Sequence, residues 1–205
     1  YKMLGSRRQY KMKILVTGGN RGLGKAIVKT LKADSISRST SNHDITKDID
    51  TIIEKSLDYD IFINNAFDGP PQEDWANFGQ SVLLIKMFQS WKAHNKKGWL
   101  FNIGSIASDD NVAPEPSWET YRVSKKSLEA ASLQCSRAFR NNQVSFKTTL
   151  IKPDRLDTEL SRSKPTWTGN GVNCNDIITF IKYCLGMESN SQIDQVTISL
   201  NYDYK

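Results

Sequence analysis

Ile14-Leu15-Val16-Thr17-Gly18-Gly19-Asn20-Arg21-Gly22-Leu23-Gly24 is the stretch on which the fold turns. Ile14–Thr17 is apolar and β-rich, and reads as a strand buried on both faces. Beyond the glycines, Ala26, Ile27, Thr30 and Leu31 recur at helical spacing. Strand, glycine-rich turn and helix in this order open a βαβ unit. Glycine answers three demands there: a sharp reversal, close approach of backbone to a pyrophosphate, and tight packing of helix on strand. The helix N-terminus adds free N–H groups and the positive end of its dipole.

Outward from this turn, the chain alternates. Asp34–Arg38 predicts a second strand, and residues 39–44 a polar loop ending at Asp44. Ile45, Ile49, Ile52, Ile53 and Leu57 predict a helix over 45–57, and Asp60–Asn64 another buried strand. Residues 67–72, Phe-Asp-Gly-Pro-Pro-Gln, break the chain, since proline neither donates to a ladder nor continues a helix. A long helix is predicted from about Asn77 to His94, a strand at Trp99–Ile103, a helix at Tyr121–Phe139 and a strand at Val144–Ile151. Pro153, a helix at Asn175–Leu185 and a strand at Ile193–Leu200 complete the series. Such alternation predicts an α/β fold: a Rossmann-type, doubly wound parallel sheet flanked by helices on both faces, with right-handed crossovers. Only about twenty residues separate Arg38 from Asp60, so the third-strand region is expected to be truncated.

With 205 residues, 38% hydrophobic and 24% charged, the chain has the profile of one globular domain. That domain is expected over residues 12–205, with residues 1–11, polar and basic, as a disordered arm or an expression remnant. No apolar run approaches bilayer length and no secretory leader is evident, so a cytoplasmic protein without membrane attachment is expected. Cys135, Cys174 and Cys184 form no CxxC pair and read as reduced thiols. His43 and His94 stand alone, which argues against a metal site. The net charge of +6 is scattered over the chain and comes with no nucleic-acid-binding motif.

The glycine spacing, Gly18, Gly22 and Gly24 after Thr17, is TGxxxGxG. This resembles the single-domain branch of the short-chain dehydrogenases/reductases. Further matches follow in that family's order. Asp44-Ile45 resembles its adenine-contacting Asp-Val pair, and Asn64-Asn65-Ala66 its NNAG strand end. Asn102-Ile103-Gly104-Ser105 resembles the strand that carries the catalytic serine. Tyr121…Lys125 fits YxxxK, and Pro153…Thr158 falls where a cofactor loop belongs. The resemblance runs from about Lys13 to Leu200. It implies a nicotinamide dinucleotide held by Gly18, Asn20, Arg21, Gly22, Leu23, Gly24, Asp44, Ile45, Asn65, Ala66, Tyr121, Lys125, Pro153 and Thr158.

The chemistry follows from the residue types. Tyrosine and lysine four apart share one helix face. An ammonium beside a phenol stabilises the phenolate and brings proton transfer within reach of neutral pH. Tyr121 is therefore expected as general acid/base in reducing a carbonyl or oxidising an alcohol of a small molecule. Lys125 tunes it and, by the resemblance, holds the nicotinamide ribose. Ser105, just past a strand's C-terminal end, is placed to donate to the substrate oxygen. The family adds an asparagine on the long helix. Counting back from Ser105 gives Asn77, which reads equally as an N-cap, and aligning Trp75 with the family's tryptophan gives Val82 instead. Arg38 at the end of the second strand, helped by Arg21, Ser37 and Ser39, suits a 2′-phosphate, so NADP(H) is expected over NAD(H).

Two residues depart from the pattern. Phe67 replaces the last glycine of NNAG, where its ring crowds the cofactor, and Asp154 replaces the glycine after Pro153, with its charge expected near the nicotinamide end. These departures leave open a second class of function, a catalytically silent NADP(H)-binding sensor or scaffold. The resemblance also implies a homodimer or homotetramer formed through the helices at 77–94 and 121–139.

Overall fold

The computed structural model describes residues 12–39, 41–67, 78–110 and 119–200. In chain order these form β1 (Ile14–Thr17), α1 (Gly22–Leu31), β2 (Asp34–Ile36), α2 (Ile49–Ser56), β3 (Ile61–Asn64), α3 (Gly79–Ala93) and β4 (Gly98–Ile103). There follow α4 (Glu119–Arg140), β5 (Phe146–Pro153), α5 (Glu159–Arg162), α6 (Cys174–Leu185) and β6 (Gln195–Ile198). The six strands form one parallel sheet in the order β2-β1-β3-β4-β5-β6. This is the Rossmann-type α/β fold.

Period-two alternation sorts the strand residues into two apolar layers. Ile14, Val16, Ile61, Ile63, Trp99, Phe101, Ile103 and Ile151 face α1 and α6, meeting Leu23, Ile27, Ile177, Ile178 and Ile181. Leu15, Phe62, Leu100 and Leu150 face the other way, onto Ile52 and Ile53 of α2, Leu83, Leu84, Met87 and Trp91 of α3, and Leu128 of α4. Burial on both faces is why the strands read as continuous apolar runs.

From β1 the chain adds β2 on one side and then returns to place β3 on the other. The crevice beyond the C-terminal ends of β1 and β3 is thus the topological switch point, where open α/β sheets bind ligands. Among the described residues the sheet ends at β2, three residues long and paired only to β1.

One element differs from its sequence pattern. The helix predicted over 45–57 begins only at Ile49, because Asp44 organises the preceding turn. Its carboxylate accepts from Thr46 N–H at 2.7 Å and Thr46 Oγ1 at 2.6 Å, while Asp44 N–H donates to Asp48 Oδ2 at 2.7 Å. A local side-chain bond of this kind offers the backbone an alternative to the helix. No helix among the described residues is long and apolar enough to cross a membrane.

Candidate active site

The glycine turn is built for close approach. Gly18 has φ +74° and Gly22 φ +50°, conformations that suit glycine. A methyl on Gly18 would sit 3.0 Å from Ala66, and one on Gly24 would overlap the Gly18 carbonyl oxygen. These two glycines therefore let α1 pack onto the turn and the turn onto the end of β3. Gly22 differs: a methyl there would sit 3.3 Å from Thr158 Cγ2, a side-chain atom. The first turn of α1 has no side-chain cap from Arg21 and no acidic residue. It thus offers free donors and a positive dipole end to an anion.

Asn65 and Ala66 act on the turn through hydrogen bonds. Thr17 Oγ1 accepts from both of their N–H groups at 3.0 Å, and Asn65 Nδ2 donates to Thr17 O at 2.9 Å. Asn20 Nδ2 bonds Ser39 Oγ, tying the turn to the loop after β2. In that loop Arg38, its side chain 62% exposed, stands 3.8 Å from Asp44 Oδ2. Burial raises the Asp44 pKa, but the Thr46 bonds together with the Arg38 and Lys47 charges outweigh it and hold the carboxyl below its ordinary value. Ser37 N–H and carbonyl are both engaged by Ser41 Oγ. The Ile45 side chain is buried in the core and packs against α3 at Gly79.

Across the cleft, β4 ends at Ile103 and Ser105 follows in extended backbone, its Oγ accepting from Ala107 N–H at 3.2 Å. The Ser105 hydroxyl also hydrogen-bonds the Tyr121 phenol from α4. Burial raises the Tyr121 pKa, and the Ser105 bond opposes this only in part. One turn on, Lys125 is 4% exposed, and burial pushes its amine down to about 7. The pair thus differs from the sequence expectation of a permanent ammonium pulling a phenol downward: enclosure shifts both groups toward their neutral forms. Ser105, Tyr121 and Lys125 are nonetheless brought together, at the C-terminal edge of the sheet.

Two features of this cluster were not specified by local sequence. The Phe67 ring centroid lies 5.0 Å from Lys125 Nζ, so the ring covers that amine. Gln80, in the first turn of α3, accepts from Lys125 Nζ at 2.6 Å through Oε1. In sequence it lies between Asn77 and Val82. Asn77 lies outside the described residues, and Val82 is an exposed residue on α3. The Asp154 carboxylate accepts from Arg155 N–H at 2.6 Å and Leu200 N–H at 3.4 Å, linking the segments that follow β5 and β6. Pro153 ends β5, and Thr158 caps α5 by accepting from Ser161 N–H at 3.2 Å. Lys152, 1% exposed, bonds Asp109 and Glu129 beside the Ser105 turn. Its place beneath that turn depends on strand direction and would have been found by extending the alternation of β5 through Pro153.

Sheet order, switch-point crevice and glycine turn together define a Rossmann-type α/β fold. Solved structures of the same fold include a 4-hydroxyisoleucine dehydrogenase complexed with NADH, 20% identical, with a TM-score of 0.71 over 94% of this chain and 99% of that one. A short-chain dehydrogenase from Burkholderia cenocepacia in complex with NADP is 18% identical, with a TM-score of 0.70 over 91% and 87% of the two chains. A 3-ketoacyl-(acyl-carrier-protein) reductase from Brucella melitensis complexed with NADH is 16% identical, with a TM-score of 0.69 over 91% and 96%. No family model matches the sequence. Among curated proteins, an Exportin-T from Phaeosphaeria nodorum is 26% identical over 189 residues. That match takes in 88% of this chain, which spans only 16% of the length of that protein.

Proposed function

We propose that this chain is an NADP(H)-dependent oxidoreductase of the short-chain dehydrogenase/reductase type, acting on a carbonyl or alcohol of a small molecule. The observation that carries the reading is the hydroxyl–hydroxyl bond of Ser105 to Tyr121, with Lys125 one helical turn away. The residues of the crevice fit a dinucleotide. On this reading the uncapped first turn of α1, from Gly22 through Leu23 to Gly24, offers its backbone N–H groups to a pyrophosphate, Asn20, Arg21, Ala66 and Thr158 are its expected neighbours, and Lys125 has an N–H to spare for a ribose hydroxyl. A bound nicotinamide supplies or accepts the hydride. Ser105 donates a hydrogen bond to the substrate oxygen as charge develops there. Tyr121 transfers its phenolic proton to that oxygen in reduction and takes it back in oxidation.

Arg38 supports the preference for NADP(H). Its guanidinium is exposed, 3.8 Å from the Asp44 carboxylate, and suits bidentate bonding to a 2′-phosphate. Fluorescence titration with NADPH and NADH tests the reading: NADPH binds more tightly, and Arg38→Ala weakens NADPH selectively. Failure of the wild type to bind either nucleotide sinks it. Association of copies through α3 and α4 is supported by exposed Val82, Ile85 and Val123, and the expected site of action is the cytoplasm.

One observation favours the second reading, a silent NADP(H)-binding sensor or scaffold. The Phe67 ring lies 5.0 Å from Lys125 Nζ, beside the pair proposed to do the chemistry. Tyr121→Phe separates the two. An enzyme loses about 10²–10⁴-fold in turnover, whereas a sensor has no turnover to lose.

A further inference from the structure

Lys125 is a buried amine whose hydrogen-bond partners are neutral. Nζ donates to Gln80 Oε1 at 2.6 Å and to Ile103 O at 3.2 Å, and no carboxylate among the described residues pairs with it. Its remaining close neighbours are aromatic: the Phe67 and Tyr121 ring centroids lie 5.0 and 5.5 Å from Nζ. An ammonium has three N–H donors, so one is left for the cleft.

Gln80 is itself 3% exposed and is held from both ends of its residue by β3. Its Nε2 donates to Asn64 O at 3.1 Å, and Asn64 Nδ2 donates to Gln80 O at 2.9 Å. Asn64 Nδ2 also donates to Asn102 Oδ1 at 3.1 Å, which carries the network onto β4. The amide has one satisfactory orientation. Exchanging its oxygen and nitrogen would set an NH₂ against the Lys125 ammonium and a carbonyl against the Asn64 carbonyl.

We propose that Gln80 is the positioning residue of Lys125: its side-chain oxygen, held by the Asn64 clamp, favours the protonated form of the buried amine and aims its remaining N–H into the cleft. The ligand met by that N–H rests on the dinucleotide reading above, whereas the coupling of Gln80 to the charge on Lys125 does not. Other ionisable groups on the packed elements are placed elsewhere or spoken for. Tyr121 is bonded to Ser105, Glu129 of α4 and Asp109 are bonded to Lys152 of β5, and Lys86 of α3 pairs with Asp50 on the surface. Lys92 of α3 and Lys126 of α4 are exposed, and β4 carries no ionisable side chain. A neutral acceptor also differs in kind from a carboxylate, which would lock the amine in its charged form. With glutamine present, burial still brings Lys125 down to about 7.

The experiment is an NMR titration of the Lys125 side chain in lysine-labelled, full-length protein. Wild type, Gln80→Leu and Gln80→Glu are compared, with Lys125→Met for assignment and circular dichroism to confirm folding. Removing the acceptor in Gln80→Leu lowers the Lys125 midpoint by about one pH unit, and the carboxylate of Gln80→Glu raises it. A midpoint unmoved in both variants overturns the proposal, and if the leucine variant does not fold, the direction of the glutamate shift decides alone. Nucleotide titration of the same proteins adds a second readout. If the wild type binds nucleotide, Gln80→Leu weakens it about ten-fold, and an unchanged affinity overturns the aiming role. If the wild type binds neither NADPH nor NADH, the oxidoreductase reading fails, and the lysine titration still decides the role of Gln80.

Discussion

The ring of Phe67 meets that of Tyr121 edge to face, with 5.1 Å between centroids and 84° between planes. The same ring lies over Lys125 Nζ, so one side chain covers both the phenol and the amine of the proposed catalytic pair. An edge-to-face pair is worth about 0.5–1.5 kcal/mol beyond its buried area, and a desolvated cation–π contact adds a comparable amount. A ribose that engages Lys125 must displace the ring and forgo these contacts. Phe67→Ala is therefore expected to tighten NADPH binding by about three- to ten-fold, at some loss of thermal stability. Fluorescence titration beside a melting curve checks this. Weaker binding in the variant would mean that the ring forms part of the nucleotide wall.

Lys125 makes stability depend on pH in a direction that can be worked out. Burial moves its amine from an ordinary 10.5 down to about 7. Between those values the unfolded chain holds a proton that the folded chain has released, so stability rises with pH across the window. Below about 7 both states are protonated, and the cost of enclosing the charge is felt in full. Each pH unit across the gap is worth about 1.4 kcal/mol. Lys125→Met removes this dependence but leaves Gln80 Oε1 without its donor, a penalty that does not vary with pH. The melting temperature of the variant minus that of wild type is thus expected to fall steadily as pH rises from about 7 toward 10. A difference that stays flat would show the amine to be better solvated than its 4% exposure implies.

What was legible in the sequence was what short-range geometry decides. The strand–turn–helix at residues 14–31 could be read because Gly24 must touch the Gly18 carbonyl and only glycine permits it. Tyr121 and Lys125 could be read because i and i+4 share a helix face wherever the helix lies. Gln80 could not. Its role depends on how far α3 slides along the sheet, which is fixed by Gly79 packing on Ile45 and Thr46 and by the Asn64 clamp, partners more than ten residues away. Asn77 and Val82 bracket it from two alignments because no local signal sets that register. The misplaced start of α2 has a local cause that helical periodicity ignores: Asp44, two residues before Thr46, closes a turn with its own carboxylate. The bond from Leu200 N–H to Asp154 is likewise invisible to local pattern, since the chain beyond β6 is brought alongside only by the fold.

Lys152 should be costly to remove. Burial lowers its pKa, but the bonds and charges of Asp109 and Glu129 outweigh that and hold it above its ordinary value. Replacement by methionine keeps most of the volume and leaves two carboxylates side by side beneath the Ser105 turn without their cation. Breaking a buried pair from one side costs about 3–5 kcal/mol, and that loss is expected for Lys152→Met in urea denaturation at neutral pH. A loss below about 1 kcal/mol would mean that the triad behaves as an exposed pair and does not fix the turn.

Gly22 and Gly24 stand two residues apart and should fail differently. At Gly24 a methyl would enter the Gly18 carbonyl oxygen, a backbone atom that cannot yield without unseating α1 from the turn. Gly24→Ala is accordingly expected to lower the melting temperature sharply or to prevent folding. At Gly22 the nearest atom to a methyl is Thr158 Cγ2 at 3.3 Å, the end of a small side chain, and the main penalty is φ +50°. A left-handed conformation costs a non-glycine residue about 1–2 kcal/mol, so Gly22→Ala should fold with a modest drop in stability. Its methyl, however, projects from the N-terminal turn of α1, beside which the pyrophosphate is proposed to lie. Nucleotide affinity should therefore fall by at least about ten-fold in a protein that is otherwise intact. Melting curves and NADPH titrations on the two variants separate packing from binding. Undiminished affinity in Gly22→Ala would move the phosphates away from this turn.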